Sequence, residues 1–107
     1  MHLMKTRRPY RWHLNIQPEA QRAFDQLPSS TKRSVFRQLR ELLRSNDPYR
    51  EPYVEMLKAK QFDRIRKFRV GDYRVLFLFE NGPVEFNRHR YEGQIYLIDI
   101  RNRKDAY

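Results

Sequence analysis

The stretch Lys58 to Phe79, KAKQFDRIRKFRVGDYRVLFLF, constrains this chain more than any other. Its second half reads as two strands around a tight turn. In the first arm Phe68 and Val70 share one face while Lys67 and Arg69 share the other. Gly71-Asp72 supplies the turn, since glycine tolerates positive φ and aspartate can bond its own backbone. In the second arm Tyr73, Val75, Phe77 and Phe79 share a face, and Arg74, Leu76 and Leu78 share the opposite one. The cations Lys58, Lys60, Arg64, Arg66, Lys67, Arg69 and Arg74 face only Asp63 and Asp72 within the stretch. Such a pair offers positive charge from one surface while the other closes over a core. That is a surface suited to phosphate.

The rest of the composition agrees. With 107 residues the chain is long enough for one domain and a modest core. A hydrophobic share of 39% with 14% aromatics argues against disorder, although 34% of residues are charged. The net charge of +10 points to a polyanionic partner. No apolar run approaches the roughly 20 residues that span a bilayer, and MHLMKTRRPY lacks the apolar core of a secretory signal. A cytoplasmic protein is the expectation. Without cysteine there is no disulfide, thiolate nucleophile or zinc–cysteine site.

Taken in order, residues 1–10 form a basic arm and residues 11–107 one domain. Trp12, Leu14 and Ile16 alternate as a short strand, with His13 on its other face. Pro18 opens a helix with Ala20, Ala23, Phe24 and Leu27 on one stripe. Pro28 breaks it, and Ser29 or Ser30 is placed to cap the next helix. That helix carries Val35, Phe36, Leu39, Leu42 and Leu43 on its apolar stripe, opposite Lys32, Arg33, Arg37, Arg40 and Arg44. Residues 45–52 are rich in turn formers. After the central hairpin, NGPVEFNRHRYEG either extends it through Val84-Phe86 and Arg88-Tyr91 or forms a mobile loop with a basic tip. QIYLIDI is the last strand. The order β-α-α-β-β-β predicts an α+β fold: an N-terminal strand, then a two-helix hairpin packed on one face of a mostly antiparallel four-stranded sheet.

The three histidines are scattered, and no carboxylate spacing suits a two-metal nuclease, so no metal or cofactor is expected. Catalysis on nucleic acid would fall to cations and a tyrosine. For RNA that suffices, because the 2′-hydroxyl is a built-in nucleophile that needs alignment and charge stabilisation. Arginine can grip a phosphate bidentately, and lysine or tyrosine can move a proton. The plainer account of Arg74 is a strand arginine paired with a carboxylate such as Asp99. Tyr73, Phe77 and Phe79, on the helix-facing side, read as core.

The helical hairpin, KFRVGDYRVLFLFE and the terminal IDIRNRKDAY together resemble the RelE/ParE superfamily of bacterial type II toxins, from about Trp12 to Tyr107. The resemblance implies the α+β fold described above and one of two activities. RelE-type members are ribosome-dependent, metal-independent endoribonucleases that cut mRNA; ParE-type members inhibit DNA gyrase without catalysis. Carried across by position, the RelE-type site implies phosphate and transition-state binding by Arg74 and Arg103. It implies proton transfer or charge stabilisation by Lys67, and stacking or proton transfer by Tyr107. Arg69 would support the phosphate, and Lys58, Lys60 and Arg64 would give general footing on RNA. Asn102 stands where many relatives carry histidine, and Arg69 where some use lysine. The partners implied are an acidic antitoxin, with mRNA and the 70S ribosome for the first activity or gyrase for the second, and no membrane.

Overall fold

A computed structural model describes residues 10–57 and 64–103. Strand β1 (Trp12–Ile16) leads into helices α1 (Pro18–Asp25) and α2 (Ser29–Arg44). A 3₁₀ turn at Pro48–Arg50 precedes β2 (Glu55–Met56), β3 (Ile65–Val70), β4 (Tyr73–Phe86) and β5 (His89–Asn102). The sheet order is β1-β5-β4-β3-β2, antiparallel except where β1 runs parallel to β5. The expected α+β arrangement is present, but with five strands rather than four. The added strand is two residues beside β3, too short to leave an alternation in the sequence.

Both helices cover one sheet face. Ala20, Leu27, Val35, Leu39, Leu42 and Leu43 meet Trp12, Phe68, Val75, Phe77, Ile95, Leu97 and Ile100 in one buried cluster. Fully burying each of the larger side chains is worth about 1.5–3 kcal/mol, so this cluster holds the helices to the sheet. Two details of α2 depart from the sequence reading. Phe36 turns outward and stays half exposed under the Arg40 guanidinium, 5.2 Å from its ring. Neither serine caps the helix: it starts at Ser29 itself, so Pro28 holds the cap position and makes no side-chain bond.

The crossing from α2 to the sheet is tied by three side chains. The Trp12 indole N–H donates to the Ser45 carbonyl at 2.8 Å, and the Ser45 hydroxyl donates to Glu51. Tyr49 closes the far end of the β3–β4 ladder. Its hydroxyl donates to the Arg64 carbonyl at 2.6 Å and accepts from the Phe79 N–H at 3.0 Å, just past the last paired residues, Ile65 and Leu78. Arg66 stacks its guanidinium on the same ring at 4.3 Å.

Residues 81–93 extend the hairpin rather than forming a loop. After an irregularity at Gly82-Pro83, pairing resumes at Val84 with Tyr91 and ends at Phe86 with His89. Asn87 and Arg88 make the turn, both at positive φ (49° and 68°). Two-residue turns of this kind favour Asn-Gly, so the arginine occupies a position where a β-carbon is penalised. Gly93 is required for a different reason. A β-carbon there would lie 2.2 Å from the Glu80 carbonyl oxygen and 3.0 Å from the Trp12 ring. Gly93→Ala should therefore cost about 3 kcal/mol or more, read from urea unfolding. Arg88→Gly should stabilise the protein by about 0.5–1 kcal/mol in the same measurement, by relieving the left-handed residue.

Candidate functional site

The sheet face away from the helices carries the candidate site. The register sets Arg69 directly beside Arg74, and Arg74 directly beside Arg101, so three arginines lie abreast on β3, β4 and β5. The next row toward the centre runs Glu55, Lys67, Leu76 and Asp99. Side chains opposite each other in such rows sit roughly 5 Å apart at their β-carbons. Like charges on neighbouring positions repel, and Glu55 beside Arg69 and Asp99 beside Arg101 offset only part of this. A row of like charges is thus costly when empty. An anion lying across it turns the same geometry into attraction.

Arg101 joins the row because of one extra residue. Leu76 pairs with Asp99 and the next residue, Phe77, pairs with Leu97, which leaves Ile98 bulged out of register. Ile95 and Leu97 point into the core on one side of this bulge, and Ile100 does so on the other. Strict alternation would have put Asp99 and Arg101 on the core side with Ile95 and Leu97; the bulge delivers both to the outer face. Asp99 then fixes the arginine, accepting from Arg101 Nε at 2.9 Å and from the Ile100 N–H at 2.8 Å. Arg101 was not among the residues singled out from the sequence. The signal for it was the LIDI run, whose apolar residues do not keep a period of two across the strand.

The other expected residues divide into three groups. Lys67, Arg69 and Arg74 lie on neighbouring positions of β3 and β4, and Arg103 follows one residue after β5. Its backbone N–H donates to the Asp72 carbonyl at 2.6 Å, tying this end of the chain to the Gly71-Asp72 turn. Gly71, at φ +59°, holds the first central position of that turn, where glycine suits a two-residue hairpin. Arg64 lies at the far end of β3, five residues from Arg69, and does not join the row. Lys58, Lys60 and Tyr107 lie outside the described residues.

Exposure within the site is uneven. Arg69 and Arg103 are exposed and Arg101 is about half exposed, whereas Lys67 is 8% exposed and Leu76 equally buried. The outer face is therefore open at the arginine row and enclosed one row further in. Glu55 sits between the two cations of β3, with one carboxylate oxygen 3.8 Å from Lys67 Nζ and 3.6 Å from Arg69 Nε. At these distances it is a loose counter-charge that a phosphate could replace. Among the described residues no three His, Asp or Glu side chains are grouped to hold a metal ion. No described helix is long and apolar enough to cross a membrane.

Solved structures provide the comparison. The chain is similar to a chain of the RelBE2 toxin–antitoxin complex from Mycobacterium tuberculosis, with a TM-score of 0.60 and 19% identity, over 92% of this chain and 95% of that one. It is also similar to a chain of the archaeal RelE–RelB complex from Pyrococcus horikoshii OT3, with a TM-score of 0.57 and 20% identity, over 90% and 99%. No protein-family model matches the sequence, and no curated protein matches it. At these identities the likeness is one of fold, and the fold is that of chains in two toxin–antitoxin complexes.

If the row binds phosphate, removing Glu55 should help and removing an arginine should harm. We expect Glu55→Gln to tighten binding of single-stranded RNA severalfold in a fluorescence anisotropy titration, with stability changed by less than about 1 kcal/mol. Arg101→Gln should weaken it and lower the slope of log K against log salt by about 0.7, the loss of one phosphate contact.

Proposed function

We propose that this chain is the toxin of a type II toxin–antitoxin system and acts as a ribosome-dependent endoribonuclease on mRNA. The observation that carries the reading is the row Arg69, Arg74 and Arg101, three arginines abreast on the outer sheet face, with Arg74 half-buried between two exposed neighbours. The fold shared with chains of two toxin–antitoxin complexes supports the toxin assignment. A strongly basic toxin would be held inactive by an acidic antitoxin, which can cover this face or displace the terminal segment.

The bond-making and bond-breaking step can be written with groups of this chain and the RNA, the ribosome holding the mRNA in place. The 2′-oxygen attacks the adjacent phosphorus, the bond to the 5′-oxygen breaks, and a 2′,3′-cyclic phosphate and a 5′-hydroxyl result. Negative charge builds on the non-bridging oxygens as the attack proceeds. Arg74, at the centre of the row, accepts that charge with Arg101 and Arg69 on either side, and Arg103 adds a further cation at the turn. Arginine stays protonated throughout and is suited to holding charge rather than moving protons. The proton leaving the 2′-hydroxyl, and the one reaching the 5′-oxygen, fall to Lys67 and Tyr107. Lys67 is buried one row further in, 3.8 Å from the Glu55 carboxylate. Asp99 acts through Arg101 as a positioning residue.

Primer extension on a defined mRNA, with and without ribosomes, tests this reading. Wild-type protein should cut within codons only when ribosomes are present. Arg74→Ala and Arg101→Ala should each lower the rate by about 100-fold or more while circular dichroism stays unchanged. Intact mRNA under conditions where the protein still arrests growth would sink the ribonuclease and favour inhibition of gyrase.

A further inference from the structure

The extended β4–β5 hairpin lies far from the arginine row. Twelve residues of β4 separate Arg74 from Phe86, roughly 40 Å at strand spacing, and the molecule is 47 Å along its longest axis. We propose that the hairpin tip is a second RNA-contacting site, in which Phe86 stacks on a base while Arg88, at the turn beside it, holds a flanking phosphate. The proposal rests on the ribonuclease reading for its choice of ligand and extends it. An RNA that engages both the cleavage row and the tip must be long or folded.

Three observations converge on it. First, Phe86 is half exposed at the last paired position, opposite His89. Its ring is not loose. His13 packs against Phe86 at 4.5 Å and against Tyr91 at 5.4 Å, and Tyr91 meets His89 at 6.4 Å. The rings fasten the arm to β1 and leave Phe86 half exposed, and an exposed aromatic ring is what single-stranded nucleic acids use for stacking. Second, Arg88 lies beyond the carboxylates of the arm. Glu92 pairs with Arg11 at 2.9 Å, Glu80 accepts from the Tyr96 hydroxyl at 3.1 Å, and Glu85 lies across the ladder from Arg90. That leaves Arg88 as the outermost charge. Third, Arg88 sits at φ 68°, in a turn position that glycine fills without strain. A cation kept at a penalised backbone position points to use.

The same residue separates function from structure in the test. Affinities are measured by anisotropy for non-cleavable 2′-O-methyl RNAs of roughly 6 and roughly 30 nucleotides. Wild-type protein should bind the longer RNA much more tightly. Phe86→Ala and Arg88→Gly should each remove about fivefold or more of that advantage and leave the short RNA unaffected. Arg88→Gly should do so with a higher Tm, so the loss cannot come from damage to the fold. Phe86→Tyr should retain binding. The proposal is overturned if either variant binds the long RNA like wild type, or if wild type shows no preference for length. It is equally overturned if poly-L-glutamate competes at the tip as well as RNA does, which would assign the site to an acidic protein segment. Failure of mRNA cleavage with the length preference intact would remove the ribonuclease reading and leave the tip standing. Cleavage without the preference would do the reverse.

Discussion

The register between β4 and β5 governs the molecule. β4 is the central strand, and each of its faces answers to a different force. On the helix side, Val75 and Phe77 are buried beside Phe68, Ile100 and Leu97, and this packing decides how the strands align. On the outer side the alignment sets arginine beside arginine, which the sheet would avoid if it could slip. Slipping by one residue would empty the core, and burial of Val75 and Phe77 alone outweighs the repulsion of partly solvated charges. Apolar packing on one face thus holds an electrostatically unfavourable pattern on the other.

The bulge at Ile98 shows how little sequence is needed to complete the site. One inserted residue turns the remainder of β5 over, so that Asp99 and Arg101 face out while Ile100 still faces in. Without it Arg74 would have a cationic neighbour on β3 alone. The Asp99 carboxylate then limits how far Arg101 can swing, which reduces the conformational entropy lost when an anion arrives.

What could be read from the sequence follows from how local each signal is. The Pro18 start, the apolar stripe of α2 and the Gly71-Asp72 turn rest on neighbours in sequence, and the structure contains each of them. The charged and apolar faces of β3 and early β4 were legible for the same reason. Signals that depend on distant partners were lost. Phe36 falls within the helical stripe, yet the sheet does not reach it and it stays half exposed. β2 exists because β3 offers an edge, not because two residues have a pattern. Arg101 was hidden because a bulge breaks the period of two that would assign its face.

The parallel seat of β1 against β5 carries a consequence for how the protein is made. Trp12 to Ile16 are synthesised about 80 residues ahead of the strand they join, Gly93 to Leu97. Until then β1 has no partner in the sheet, and Trp12 has no Gly93 to lie against. The arginine row is equally late, since Arg101 sits on that same strand. Contacts so distant in sequence form slowly and after synthesis of the segments that join them. A nascent chain therefore carries its positive charge before the arginine row is assembled, and the row forms only once β5 docks.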